Sequence, residues 1–224
     1  MPSLRFRWGY DPATGLLPRH QCQLACEQCI GRTQTGARCR RSTCAHLPYC
    51  PQHLKTALSL EIRDAPGRGK GLFVVAPRDP LHPQIVFGPN ERTHGRGKWI
   101  ASLEGLELTD GQLAARYGAS LAPYSVRIRA GVVHDGACHR SVGQYANTAV
   151  QAGNPRRIAR GACNARFSLR QYDMYGNRHA RADVPWLEAT RIIREGDEIV
   201  ADYGDGYLNG QTFAELEPHQ TIRR

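Results

Sequence analysis

Cys50-Pro-Gln-His53 sets a thiol and an imidazole two residues apart, a gap that lets one metal ion take both side chains. Tetrahedral Zn²⁺ needs four such ligands, and thiolate sulfur with imidazole nitrogen suits it. Six of the eight cysteines lie between residues 22 and 50, so partners are close at hand. A second stretch with chemical potential is GDEIVADYGDGY, residues 196–207. There an apolar alternating run ends on Tyr203, bracketed by glycines and carboxylates, with Tyr207 four residues later. The plain alternative is a hairpin or strand end whose glycines make the turn and whose tyrosines cover the core.

The preferred metal set is Cys29, Cys39, Cys50 and His53, with Gly31 and Gly36 allowing the tight turns of a small zinc module. The stretch from Cys29 resembles a short zinc-binding module of the form C-x-x-T-x-x-G-x-x-C followed by Y-C-x-x-H, and Thr33, Gly36 and Tyr49 match it. Cys22, Cys26 and Cys44, with His46, are left over, so a second site or an exchanged ligand stays open. A knot of this size has too little core to fold without metal. A closed four-ligand site has no open position for chemistry, which implies a structural or docking role.

The elements that must position these residues are short. Strands are expected near residues 58–63, 71–76, 84–87, 124–129, 132–134, 164–169, 186–193 and 198–201, where β-branched and apolar residues alternate with polar ones. In VRIRA, for example, Val126 and Ile128 face one way while Arg127 and Arg129 face the other. One helix is expected over Thr109–Tyr117, capped by Thr109 or Asp110, and a shorter one in the region of residues 210–216. Many strands, few helices and frequent turn residues describe a mostly β fold with short helices, of α+β type.

The 224 residues, 41% hydrophobic, suffice for one domain with an appendage. The expected organisation is an N-terminal extension over 1–20, a Cys-rich zinc module over 21–56, a main domain over 57–208 and a closing segment over 209–224. No apolar run is long enough to cross a membrane, and the N-terminus lacks the apolar core of a secretory signal. The reading places the protein inside a cell, where eight cysteines argue against a disulfide framework. A formal net charge of +10 points to an acidic partner, nucleic acid first. The excess is clustered: Arg156, Arg157, Arg160, Arg166 and Arg170 form one group, and Arg38, Arg40 and Arg41 another.

Three separated motifs lie in a fixed order. The first is Gly69-Lys70-Gly71-Leu72-Phe73, a glycine-rich turn feeding an apolar strand, which lets backbone approach a ligand closely. The second is Tyr145-Ala146-Asn147 after the turn at Asp135, with Asn164-Ala165 downstream. The third runs from Gly196-Asp197-Glu198-Ile199 to Asp202-Tyr203-Gly204. Together they resemble the SET domain of protein lysine methyltransferases over roughly residues 57–208. With the Cys-rich segment ahead of it, the chain is similar to SET proteins of large DNA viruses and protists. It departs from that pattern at Thr148, where the family has histidine, and in the long arginine-rich loop between Asn147 and Asn164. No cysteine follows residue 163, so the zinc cluster that many members carry after the domain is absent.

The resemblance implies a β-clip-like fold with a knot-like C-terminal crossing and binding of S-adenosylmethionine. By match, Arg68, Gly69 and Lys70 would run along that cofactor, Asn147 would hold its amino-acid end, and the Thr148 backbone would meet its adenine. Tyr203 would stand at the methyl-transfer centre and also border the cofactor. Tyr124 would line both the cofactor and the lysine channel, with Tyr207 as a second wall. In-line displacement needs nitrogen, methyl carbon and sulfur aligned at about 3–3.5 Å. A protein-lysine N-methyltransferase acting on a histone tail is therefore expected, located in the nucleus, or in the host nucleus of a viral protein. Its arginine clusters would touch nucleosomal DNA, and Asp202 and Asp205 would line the peptide groove. The competing expectation is a catalytically inactive module of the same shape that binds nucleic acid or chromatin.

Overall fold

The computed structural model describes residues 3–6, 22–43, 47–66, 69–75, 85–90, 97–117, 122, 124–136, 141–151, 154–170, 184–204 and 214–215. Among them the architecture is mostly β, with two α-helices and two short 3₁₀ turns. Leu60–Ala65 and Gly69–Val74 pair antiparallel in unbroken register, from Leu60 opposite Val74 to Ala65 opposite Gly69. Alternation then sends Leu60, Leu72 and Val74 into the core, each fully buried.

Two four-stranded sheets form the body. One is ordered Ala201–Asp202, Ala165–Arg170, Val184–Ala189, Trp99–Ser102, with its first pair parallel. The other is ordered Ala214–Glu215, Ser125–Arg129, Val132–Asp135, Leu106–Thr109. Val126, Ile128, Phe167, Leu187, Phe87 and Ile193 meet in one apolar cluster.

The helix Asp110–Tyr117 is close to expectation, and Thr109 caps it. The Thr109 hydroxyl accepts from the Gln112 amide at 3.2 Å while the Gln112 side chain accepts from the Thr109 amide at 2.8 Å, a reciprocal box. A second helix, Pro51–Leu58, was not expected. Proline sets its first turn, and Leu54 and Leu58, four apart, drop into the main core. Ser59 ends it in the left-handed region, at φ 57°.

Other expectations change. The helix near residues 210–216 is corrected: Ala214–Glu215 is a strand, parallel to Ser125–Arg129, because pairing with a distant strand overrides local helix preference. The run 186–193 divides into Val184–Ala189 and Ile193–Arg194, which join different sheets. Trp99–Ser102 and Leu106–Thr109 are additional strands. Among the described residues no helix is long and apolar enough to cross a membrane.

On the face of the first sheet away from this cluster, Glu188 sits nearly buried between Arg166 at 3.1 Å and Lys98 at 3.3 Å. Burial pushes its carboxyl up, but the Arg166 hydrogen bond and charge, with Lys98 and Ser168, bring it below the ordinary carboxylate value. A depressed carboxylate contributes stability above its unfolded pKa and loses it as pH falls through the folded value. Glu188→Gln should therefore lower stability at neutral pH and flatten its fall below the ordinary carboxylate pKa. Denaturant titrations of both proteins from neutral to acid pH measure the two slopes.

Candidate functional site

The metal-ligand set assembles as expected. The donor atoms of Cys29, Cys39, Cys50 and His53 all lie within 4.8 Å of one another, and the three cysteines are buried. Cys29 Sγ and Cys50 Sγ each stand 3.4 Å from His53 Nδ1. Zn–S and Zn–N bonds at the tetrahedral angle put the two atoms about 3.5 Å apart, so this group can hold a zinc ion.

Local structure explains the assembly. Cys50 is the N-cap of the helix Pro51–Leu58 and His53 lies on its first turn, so both face one point. Cys29 and Cys39 come from a turn closed by Thr33 N to Ala37 O at 2.8 Å and Cys39 N to Gly31 O at 2.8 Å. Gly36 takes φ 82° there, as a left-handed corner requires. At Gly31 a Cβ would meet the His53 ring at 2.3 Å, so glycine is needed there for packing.

The hydrogen bonds behind the four donors suit a metal as well. His53 Nε2 faces the Arg32 carbonyl at 2.8 Å, which fixes the proton on Nε2 and leaves Nδ1 as the donor to metal. The amides of Gly31 and Cys50 point at Cys29 Sγ at 3.3 and 3.2 Å, as amides do toward a thiolate. Burial raises both thiols and, with the neighbouring Cys50 sulfur, leaves Cys29 above its ordinary value. At Cys50 the hydrogen bonds of His53, Cys29 and Cys39 outweigh burial and bring it down to about 7.

Of the remaining candidates, Cys26 is disulfide-bonded and so cannot be a metal ligand. One bonded cysteine qualifies the reading against a disulfide framework, while Cys29, Cys39, Cys50 and Cys163 are free thiols. The Cys22 side chain, Cys44 and His46 lie outside the described residues.

A second site forms where the three separated motifs meet. Residues 196–201 thread between the Gly69–Val74 strand, Asn147 and Asn164. Gly196 N donates to Val74 O at 2.8 Å, Ile199 N to Leu72 O at 2.8 Å, and Ala201 N to Asn147 O at 2.7 Å. The Asn164 side chain brackets the same run, giving its amide to Glu198 O and accepting from Val200 N, both at 2.8 Å. Asn147 Nδ2 donates to Lys70 O at 3.1 Å and to Glu198 Oε1 at 2.9 Å. A turn over Val142–Tyr145 fixes the entry to Asn147, because Ser141 Oγ holds Ser102 O at 2.6 Å and Glu104 N at 2.9 Å.

Tyr203 follows directly. Its hydroxyl donates to the Ala146 carbonyl, and its ring tilts against Phe167 at 5.5 Å. Next along the chain from Ala146, Tyr145 packs on Tyr124 at 6.1 Å. Two aromatic pairs thus flank Ala146. Tyr124 holds φ 65°, a strained value for a tyrosine that the surrounding structure must enforce. The sequence reading missed Tyr145, Phe167 and Glu198, whose only signal was their place inside or beside the motifs. Arg68 and Tyr207 lie outside the described residues, as does Asp205.

Two arginines of the first cluster, Arg160 and Arg166, have described side chains. Arg160 binds Asp202 at 2.8 Å and Arg166 binds Glu188 at 3.1 Å, so both cations already hold carboxylates. Asp202, only 11% exposed, is correspondingly engaged from inside the chain. The side chains of Arg156, Arg157 and Arg170 lie outside the described residues.

Purified protein should contain stoichiometric zinc by elemental analysis. Cys50→Ser should lose the metal and, with it, the helix signal of residues 51–58 in circular dichroism. A Cβ at Gly71 would stand 2.8 Å from Glu198 Oε1 and 3.0 Å from Asn147 Nδ2. Gly71→Ala should therefore destabilise the fold by about 1–3 kcal/mol in denaturant unfolding, with zinc retained. No protein-family model matches this chain and no curated protein matches it, so the functional reading rests on the residues and their geometry.

Proposed function

We propose that this chain is an S-adenosylmethionine-dependent protein-lysine N-methyltransferase of the SET class, with a histone lysine as its first candidate substrate. The observation that carries the reading is the crossing itself. Three motifs far apart in sequence meet at Asn147, Asn164 and residues 196–203, in the order that the resemblance implies.

Three features fit the cofactor. Gly69 and Lys70 are exposed residues, and a Cβ at Gly69 would meet nothing within 4 Å, so a ligand could lie close along Gly69. Asn147 has committed its amide nitrogen to Lys70 and Glu198. What remains is its carbonyl oxygen, an acceptor that suits an ammonium group. Thr148 Oγ1 is buried with no close hydrogen-bond partner among the described residues; burial pushes up the neighbouring Cys163 thiol, and Thr148 only tempers that rise.

When bound, S-adenosylmethionine supplies an electrophilic methyl group on a sulfonium. Tyr203 supplies orientation. Because its hydroxyl proton is given to Ala146 O, its lone pairs are left as acceptors, able to polarise a methyl through weak C–H···O contacts. The aromatic rings of Tyr124, Tyr145 and Phe167 would desolvate an incoming lysine and lower its pKa, favouring the neutral amine that attacks. The zinc module has no open coordination position and stabilises structure. An inactive nucleic-acid module is the second reading, and the carboxylates holding Arg160 and Arg166 weigh against it.

Tyr203→Phe keeps the ring and loses one hydrogen bond, at about 1 kcal/mol of stability. Binding of S-adenosylmethionine, measured calorimetrically, should be unchanged. Methyl transfer should fall by roughly a hundredfold or more, by analogy with loss of a positioned polar group at a reacting centre. Asn147→Ala should weaken cofactor binding first. A Tyr203→Phe protein with parental binding and parental turnover would remove Tyr203 from the reaction centre.

A further inference from the structure

A surface hollow of about 300 Å³ opens between the metal-binding turn and the helix Pro51–Leu58. Ile30, Arg32, Tyr49, Thr56 and Ala57 line it. Ile30 is 52% exposed, one of two large apolar side chains so exposed among the described residues. Its outward direction is built in. Cys29 turns its sulfur to the metal cluster, and Ile30 N is held by Pro48 O at 3.0 Å, so the next side chain must point to solvent.

The segment around the hollow is basic. From Cys29 to Leu58 the chain carries Arg32, Arg38, Arg40, Arg41 and Lys55 and no Asp or Glu, and since Lys55 is paired with Glu61 at 2.6 Å the excess rests on the four arginines. Arg32 and Arg38 face each other across a bridge, each using part of its guanidinium to brace the turn. Three thiolates on a zinc ion carry one net negative charge, which leaves the segment strongly positive.

We propose that this hollow docks an acidic segment of a partner protein. One aliphatic or aromatic side chain of the partner seats against Ile30 and Tyr49, and flanking carboxylates meet Arg32 and the neighbouring arginines. An apolar anchor in a pocket with charge at the rim is how such interfaces divide affinity and orientation. A nucleic-acid backbone would satisfy the arginines but offers no apolar group to cover Ile30. A basic substrate tail would be repelled. The proposal does not depend on methyl transfer, since the hollow belongs to the metal-binding segment.

The test uses the full zinc-loaded chain and a fluorescein-labelled peptide of glutamates and aspartates around a single leucine. Its control has serine for that leucine, and a fluorescein-labelled DNA duplex is the third probe. Anisotropy should show the leucine peptide bound, and Ile30→Ser should weaken it by about tenfold, the effect of losing one partly buried aliphatic contact. The serine peptide should bind the parent about as weakly, and should lose little more on Ile30→Ser, since both changes remove the same contact. Arg32→Glu should weaken both peptides, and each variant should keep its zinc. Equal binding of the leucine and serine peptides, or no effect of Ile30→Ser, would overturn the proposal. Binding of the duplex alone would make the face a nucleic-acid surface instead.

Discussion

The backbone of residues 196–200 runs between the sheets with only isolated bridges, and its polar groups are satisfied mainly by three segments distant in sequence before Ala201 joins the first sheet. Ile199 and Ala201 are fully buried, so water cannot complete these hydrogen bonds. Val74, Leu72, Asn164 and Asn147 do so instead. An unpaired buried amide costs about 1–3 kcal/mol, which makes the crossing an all-or-none arrangement. Asn147 and Asn164 are required as side chains because regular pairing ends where the segments cross. Gly71 leaves room for Glu198 and Asn147, whose polar ends a Cβ there would push aside. Tyr203 reaches Ala146 because the preceding residue, Asp202, is already fixed against Arg166 of the neighbouring strand.

The metal segment is tied to the same body by packing. Leu54 and Leu58 of the helix that carries Cys50 and His53 belong to the main core, with Leu47, Tyr49 and Ala57 against it. A zinc ion held by these ligands would position a helix whose other face completes the core beside the Leu60–Ala65 hairpin. A segment with so few apolar residues of its own draws order from that shared core, and a bound metal would add to it.

How much could be read in advance depended on how local each cause was. Cys29, Cys39, Cys50 and His53 were legible because ligand chemistry imposes spacing. The helix Asp110–Tyr117 was legible because Thr109 and Gln112 form a local box. Pro51–Leu58 was missed, since its metal ligands occupy the first turn and only Leu54 and Leu58 carry the amphipathic signal. Trp99–Ser102 and Leu106–Thr109 are four residues each, too short for alternation to show. Ala214–Glu215 owes its strand conformation to Ser125–Arg129, a partner that nothing in its own sequence announces. The pairing of Asn147 with Glu198 spans 51 residues and exists only once the chain has crossed. The order of the three motifs was visible in the sequence. Their meeting point was a consequence of folding.

Methyl transfer is the proposed use of that meeting point, and it makes a demand on the intact protein. The most direct measurement is transfer of a labelled methyl group from S-adenosylmethionine to core histones and nucleosomes by the zinc-loaded chain, with mass-spectrometric mapping of the modified residues. The account predicts label on lysine side chains, dependent on the chain and on the cofactor. A folded, zinc-loaded protein that neither binds S-adenosylmethionine nor labels any lysine would contradict it.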